Sequence, residues 1–134
     1  MKWTHCALET RKFEQTLQFY VDFCHMNVAT NRIDDGRKVV HLIPAVGSGP
    51  ILVLIESKQL DYTTEVNESM LRHFGFELSS RQEVDLVYKK LIEADLPATQ
   101  PVYVDENTGY VCMSQDPDKR WVEFSYGQSI SSRK

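Results

Sequence analysis

Residues 5–28, HCALETRKFEQTLQFYVDFCHMNV, lie without a gap on residues 73–96, HFGFELSSRQEVDLVYKKLIEADL, when the chain is slid along itself by 68 positions. His5 meets His73, Glu9 meets Glu77, Tyr20 meets Tyr88, Phe23 meets Leu91 and Val28 meets Leu96. Each copy opens with a short run that reads as a strand, His5–Glu9 or His73–Leu78. A helix follows in each. Its apolar positions are 13, 17, 20 and 24 in the first copy and 84, 87, 88, 91 and 92 in the second, which is the helical period. Ser80 with Glu83 three residues later predicts a capping box at the second helix; the first has only Thr10 nearby.

Three strand-like runs follow each helix, at 27–33, 37–43 and 51–56, then at 98–104, 109–114 and 121–126. Turn-forming stretches separate them: DDG and PAVGSGP in the first half, DENTG and QDPDK in the second. His25 and Asp95 stand at the turns after the helices, and both residue types tolerate a left-handed backbone better than most. Both halves therefore read strand, helix, three strands. The expectation is one α+β domain over 1–134, made of two βαβββ modules at 1–57 and 71–127. Residues 57–70 join them, and the tail GQSISSRK reads as frayed and solvated.

Bulk properties narrow the function classes. A chain of 134 residues with 42% hydrophobic and 25% charged residues suits a globular domain with a real core. Its net charge of −4, with no basic run and no Gly-rich phosphate loop, argues against nucleic acid and acidic membranes as partners. No apolar stretch is long enough to span a bilayer. The opening MKWTHCALE lacks the apolar centre of a signal peptide, so the expected compartment is the cytoplasm. Cys6, Cys24 and Cys112 are odd in number, show no CxxC spacing and read as reduced thiols.

The stretch PILVLIESKQL (50–60) is a buried-strand pattern closed by a carboxylate, Glu56. A strand surfacing into a turn is the usual reason. Glu56, however, has a counterpart: it lies 51 residues after His5, and Glu123 lies 50 after His73. Each half thus begins with a His on its first strand and ends with a Glu on its last. Two imidazoles and two carboxylates, His5, Glu56, His73 and Glu123, suit one divalent ion such as Zn, Ni, Co, Mn or Fe. A single His near a chain start is ordinarily just solvated, and His25 and His41, without partners of the same type, keep that reading. The matched pairs are what raise the other four.

On straight first strands Glu9 shares a face with His5, and Glu77 with His73, so both are candidate substrate contacts in an acidic pocket. Their alternative is simple solvation beyond the strand ends. Trp3 and Trp121 fall on the faces of His5 and Glu123, either as an apolar wall of the pocket or as packing.

The run H…TLQFYVDFCHMNV followed by DPDKRWVEF resembles the vicinal oxygen chelate superfamily, which includes glyoxalase I, extradiol dioxygenases, methylmalonyl-CoA epimerase and the bleomycin and fosfomycin resistance proteins. The likeness spans about residues 3–126. It implies two βαβββ modules forming a curved sheet around a metal-binding cavity. At the second ligand position glyoxalase I carries Glu, the epimerase Gln, and the iron dioxygenases none. Glu56 therefore matches the glyoxalase I set.

The implied activity is that of a metal-dependent lyase or isomerase, moving a proton beside a carbonyl through a metal-bound enediolate. The implied substrate is a small hydroxy-carbonyl compound, with Glu123 as the base and Glu56 as the other candidate. Glutathione-dependent relatives commonly place Arg and Asn four residues after the first and second ligands, where this chain has Glu9 and Leu60. Glutathione specificity is therefore not expected. The competing expectations are an Fe(II) dioxygenase relative, against which Glu56 counts, and a non-catalytic binder of the bleomycin-resistance kind. Relatives of this size generally form homodimers, some with sites built from two chains.

Overall fold

The computed structural model describes residues 1–58 and 69–132, so Leu60 and most of the joining segment lie outside the described residues. The chain divides into two compact units, Met1–Glu65 and Val66–Lys134. The first holds β1 (His5–Thr10), α1 (Phe13–Asp22), β2 (Met26–Asp34), β3 (Arg37–Pro44) and β4 (Ile51–Glu56). The second holds β5 (His73–Glu77), α2 (Arg81–Glu93), β6 (Val102–Tyr103), β7 (Tyr110–Gln115) and β8 (Trp121–Tyr126). A 3₁₀ turn, Ser129–Ser132, follows.

The fold is α+β, with a βαβββ order in each unit. Each sheet is four-stranded and mixed, in the order β1-β4-β3-β2 and β5-β8-β7-β6. The first and last strands of each unit pair in parallel, and the other neighbours are antiparallel. One face of each sheet is covered by its helix, α1 on β2 and β4, α2 on β7 and β8. Phe13, Thr16, Phe19 and Tyr20 are the buried side of α1, and Val84, Val87 and Leu91 that of α2. Val40, Leu42, Leu52 and Leu54 are buried in the first sheet, Cys112, Val122 and Phe124 in the second. Removing each such side chain from water stabilises by roughly 1.5–3 kcal/mol.

The local signals act as their chemistry requires. Ser80 Oγ accepts the Glu83 N–H at 3.2 Å, while the Glu83 carboxylate reaches back to the Ser79 N–H at 2.8 Å. At α1 the N-cap residue is Lys12, which makes no side-chain cap. Thr10 Oγ1 instead accepts the Lys12 N–H at 3.2 Å. His25 and Asp95 have φ of +51° and +57°, the left-handed conformation expected after each helix. Asp35 and Gly36, at +48° and +68°, form the two-residue turn between β2 and β3.

Two expectations change. The run at 98–104 contracts to the two-residue β6 and one isolated bridge, Ala98 with Ser114. Pro97 and Pro101 remove the N–H groups a longer ladder would need. The tail does not simply fray after β8: Ser129 donates its N–H to Glu106 O at 2.9 Å, and its hydroxyl to Asn107 Oδ1 at 3.1 Å. No helix among the described residues is long and apolar enough to cross a membrane.

Candidate functional site

His73 and Glu123 meet in the second unit. In the β5–β8 ladder His73 lies opposite Trp121, and Gly75 opposite Glu123. The pleat has a period of two, so His73, Gly75, Trp121 and Glu123 share one face. His73 Nε2 stands 3.4 Å from Glu123 Oε2, with the carboxylate side chain almost buried and the imidazole partly exposed.

Both side chains are held. His73 Nδ1 lies 2.6 Å from Met70 O; a carbonyl only accepts, so Nδ1 carries a proton and Nε2 is the ring nitrogen turned to Glu123. Glu123 Oε1 accepts the Gln128 amide at 2.9 Å, leaving Oε2 toward the ring. Gly75 supplies the room. A Cβ there would come within 3.2 Å of Glu123 Cβ and 3.4 Å of Oε1.

Nε2 and a carboxylate oxygen 3.4 Å apart are placed to share a positive centre. A proton on Nε2 would make the pair an ion bridge. A divalent ion fits as well, because N and O ligands about 2.1 Å from one metal at a tetrahedral angle stand about 3.4 Å apart. A backbone carbonyl orienting the outer ring nitrogen is the usual support of a metal-binding histidine. The donor set fits the ion that the sequence implied. Within neither unit, however, do three or more His, Cys, Asp or Glu side chains converge among the described residues.

The first unit does not repeat this pair. His5 lies opposite Ile51 and Thr10 opposite Glu56, so Glu56 stands about 16 Å farther along the strand, at some 3.3 Å per residue. It is also on the other face. Thr10 turns to α1, its hydroxyl 2.9 Å from that of Thr16, and Glu56 shares that side. Glu56 Oε1 accepts the Lys38 N–H at 3.4 Å, in a neighbourhood that also contains the Lys38–Glu14 ion pair of 2.8 Å. The expected pairing of His5 with Glu56 within one module is therefore corrected. The residue level with Glu123 is Val53, opposite Ala7 as Glu123 is opposite Gly75.

The remaining candidates are placed as follows. His5 is exposed, with Nδ1 2.9 Å from the Thr4 hydroxyl. Glu9 is on the His5 face and sits 3.9 Å from Arg37, so its charge is partly answered. Glu77 is on the His73 face, exposed at the end of β5. Trp3 precedes β1, is 71% exposed and donates its indole N–H to His5 O at 3.1 Å. Trp121 lies beside His73, half-buried. His41 Nδ1 is 2.6 Å from the Thr30 hydroxyl. Cys6, Cys24 and Cys112 form no disulfide, and burial pushes the Cys112 thiol up to about 12.

Gln128 was not among the expected residues. A glycine directly after the last strand, Gly127, was the available signal that the chain turns back there.

Comparison with known proteins agrees with this fold. The profile of the Glyoxalase/Bleomycin resistance protein/Dioxygenase superfamily matches residues 2–124. An uncharacterized protein of Pseudomonas aeruginosa is 33% identical over 128 residues, covering 95% of this chain and 89% of its own. Among solved structures, a glyoxylase/bleomycin resistance protein/dioxygenase domain from Frankia sp. EAN1pec superposes with a TM-score of 0.76 at 19% identity, covering 96% and 98% of the two chains. The fosfomycin resistance protein FosX of Listeria monocytogenes gives 0.73 at 16% identity, over 97% and 96%. A FosX mutant solved with Mn(II) and a dihydroxypropylphosphonic acid gives 0.72 at 17% identity, over 99% and 98%. The chain belongs to the Glyoxalase/Bleomycin resistance protein/Dioxygenase superfamily.

Proposed function

We propose that this chain holds one divalent metal ion through His73 and Glu123 and acts as a lyase or isomerase of glyoxalase I type. The substrate in this proposal is a small molecule with neighbouring hydroxyl and carbonyl oxygens. The observation that carries it is the 3.4 Å approach of His73 Nε2 to Glu123 Oε2, with the ring fixed from behind by Met70 O. When bound, the ion supplies Lewis-acid polarisation of a substrate oxygen. Glu123 provides a nearly buried carboxylate to take a proton from the carbon beside that oxygen. His73 keeps its lone pair on Nε2 and its own proton on Nδ1, so it acts as a ligand and not as the base.

His5 enters the proposed ligand set on its chemistry, and Glu56 leaves it. The proposed ions are Zn, Ni, Co, Mn or Fe, and Mn(II) in a FosX mutant supports that class. The proposed assembly is a homodimer.

The position of Glu56 favours one second reading. With Glu123 as the single carboxylate, coordination positions stay open, as an Fe(II) dioxygenase of the two-His, one-carboxylate type requires. The experiment is elemental analysis of chain purified without chelator or affinity nickel, followed by proton–deuterium exchange of hydroxy-carbonyl compounds watched by NMR. About one equivalent of Zn, Ni, Co or Mn with exchange at the carbon next to the carbonyl supports the lyase or isomerase. Iron, with oxygen consumption on catechols, supports the second reading. Absence of metal, before and after titration, refutes both.

A further inference from the structure

We infer that Gln128 is a positioning residue for Glu123: its amide occupies one carboxylate oxygen, so that the other alone is presented to His73 and the metal. The inference rests on the metal reading given above and assigns a role to a residue outside the ligand set. A carboxylate only accepts, so it is the Gln128 NH₂ that faces Oε1, at 2.9 Å. Left alone, a glutamate on a metal can swing between one-oxygen and two-oxygen binding. With Oε1 engaged, Oε2 is the oxygen left for the ion.

The backbone holds this arrangement from both sides. Gly127, at φ +79°, turns the chain back immediately after β8, which brings Gln128 over the residue five positions earlier. Ser129 is then tied to the 105–109 loop by its N–H to Glu106 O, at 2.9 Å, and its hydroxyl to Asn107 Oδ1, at 3.1 Å. That loop is itself closed by Asp105 Oδ1, which accepts the N–H groups of Asn107 and Thr108 at 2.9 and 2.8 Å. On the opposite flank Gly75 leaves the space in which Oε1 sits. Gln128 is thus delivered to Glu123 by a turn and an anchored loop, a larger arrangement than a chance surface contact needs.

The test is titration of the metal-free full chain with Zn(II) against a competing chelator, and with Co(II) followed by its visible absorption. Gln128→Met keeps the length and removes the donor, and Gln128→Asn keeps the amide and removes the reach. Each is expected to weaken Zn(II) binding roughly 10–100-fold and to change the Co(II) spectrum, as loss of an outer-shell partner does. In the Glu123→Ala background Gln128→Met should change affinity less than about twofold, which a general structural role would not produce. Should Gln128→Met fail to fold by circular dichroism, Gln128→Asn decides. Unchanged affinity and an unchanged Co(II) spectrum in the folded variant overturn the inference while the metal reading stands. No Zn(II) or Co(II) binding by the unaltered chain overturns the metal reading, and the inference with it.

Discussion

His73 Nε2 lies 3.4 Å from Glu123 Oε2, while the other nitrogen of the same ring donates to Met70 O at 2.6 Å. One hydrogen bond therefore fixes a proton on Nδ1 and leaves Nε2 to face the carboxylate. The same two side chains bind a proton or a metal, and the two compete. Metal affinity is accordingly expected to fall as the solution is acidified, with protons released on metal binding in acid solution. Calorimetric titration in two buffers of different ionisation enthalpy measures that release.

Substitution separates the ligands from their lookalike. His73→Ala and Glu123→Gln should each lower metal affinity by about two orders of magnitude or more, because each removes a donor that nothing nearby replaces. Glu56→Gln should leave it within about twofold, since Glu56 faces α1 beside Thr10. Metal content per chain reads all three. A loss in Glu56→Gln as large as in Glu123→Gln would refute the placement of Glu56.

Gly75 is small for the sake of its neighbour. Gly75→Ala puts a Cβ 3.2 Å from Glu123 Cβ and 3.4 Å from Oε1, closer than most side chains tolerate. The carboxylate must shift, and metal affinity should drop about tenfold, on the scale of other outer-shell changes. Gly75 is not in the left-handed region, so stability should fall by no more than about 1 kcal/mol. Denaturant unfolding and metal titration of one preparation separate the two effects.

The turn before β8 is built on Asp116, whose side chain is fully buried. It accepts the N–H groups of Asp118 and Arg120 at 2.9 and 3.0 Å and the Arg120 guanidinium at 3.1 Å. Asp116→Ala strands those donors and should destabilise by about 2–3 kcal/mol. In the same turn Lys119 has φ +64°, where a Cβ is strained. Lys119→Gly should stabilise by up to about 1 kcal/mol. Opposite signs at neighbouring positions, read by the urea midpoint, make the pair a sharp check.

Cys112 is held as a thiol by burial, with its pKa pushed up to about 12 against an ordinary 9.0. The folded state binds this proton more tightly than the unfolded state. The contribution is therefore complete below about pH 9 and is lost as pH rises toward 12. The loss approaches about 1.4 kcal/mol per pH unit in that window. The unaltered chain should lose stability more steeply there than Cys112→Ala. Parallel slopes would show that the thiol does not feel its burial.

Much of this was legible beforehand. Period alone placed α2 on its buried residues Val84, Val87 and Leu91, because that pattern is local and repeats every turn. The left-handed His25 and Asp95 were legible because only a few residue types tolerate that backbone. The strand expected at 98–104 shrank to β6 because its prolines weigh on the ladder more than its apolar residues do. His73 with Glu123 was legible as a pair through the repeat. The same repeat did not place Glu56: the ladders set Ile51 level with Trp121, a slide of 70 in place of 68, so that Val53 and not Glu56 stands where Glu123 does.

The sequence by itself determined the doubled βαβββ order, the helix faces, the left-handed turns and the family, because all of these rest on patterns only a few residues long. Only the tertiary structure decided strand register, and with it which Glu shares a face with its His. In a pleated strand one residue of slip moves a side chain to the opposite face. Separation along the chain does not fix that slip; the pairing of His5 with Ile51 and of His73 with Trp121 does. The return of Gln128 to Glu123 belongs to the same class, a contact made by a turn and an anchored loop and carried by no local pattern.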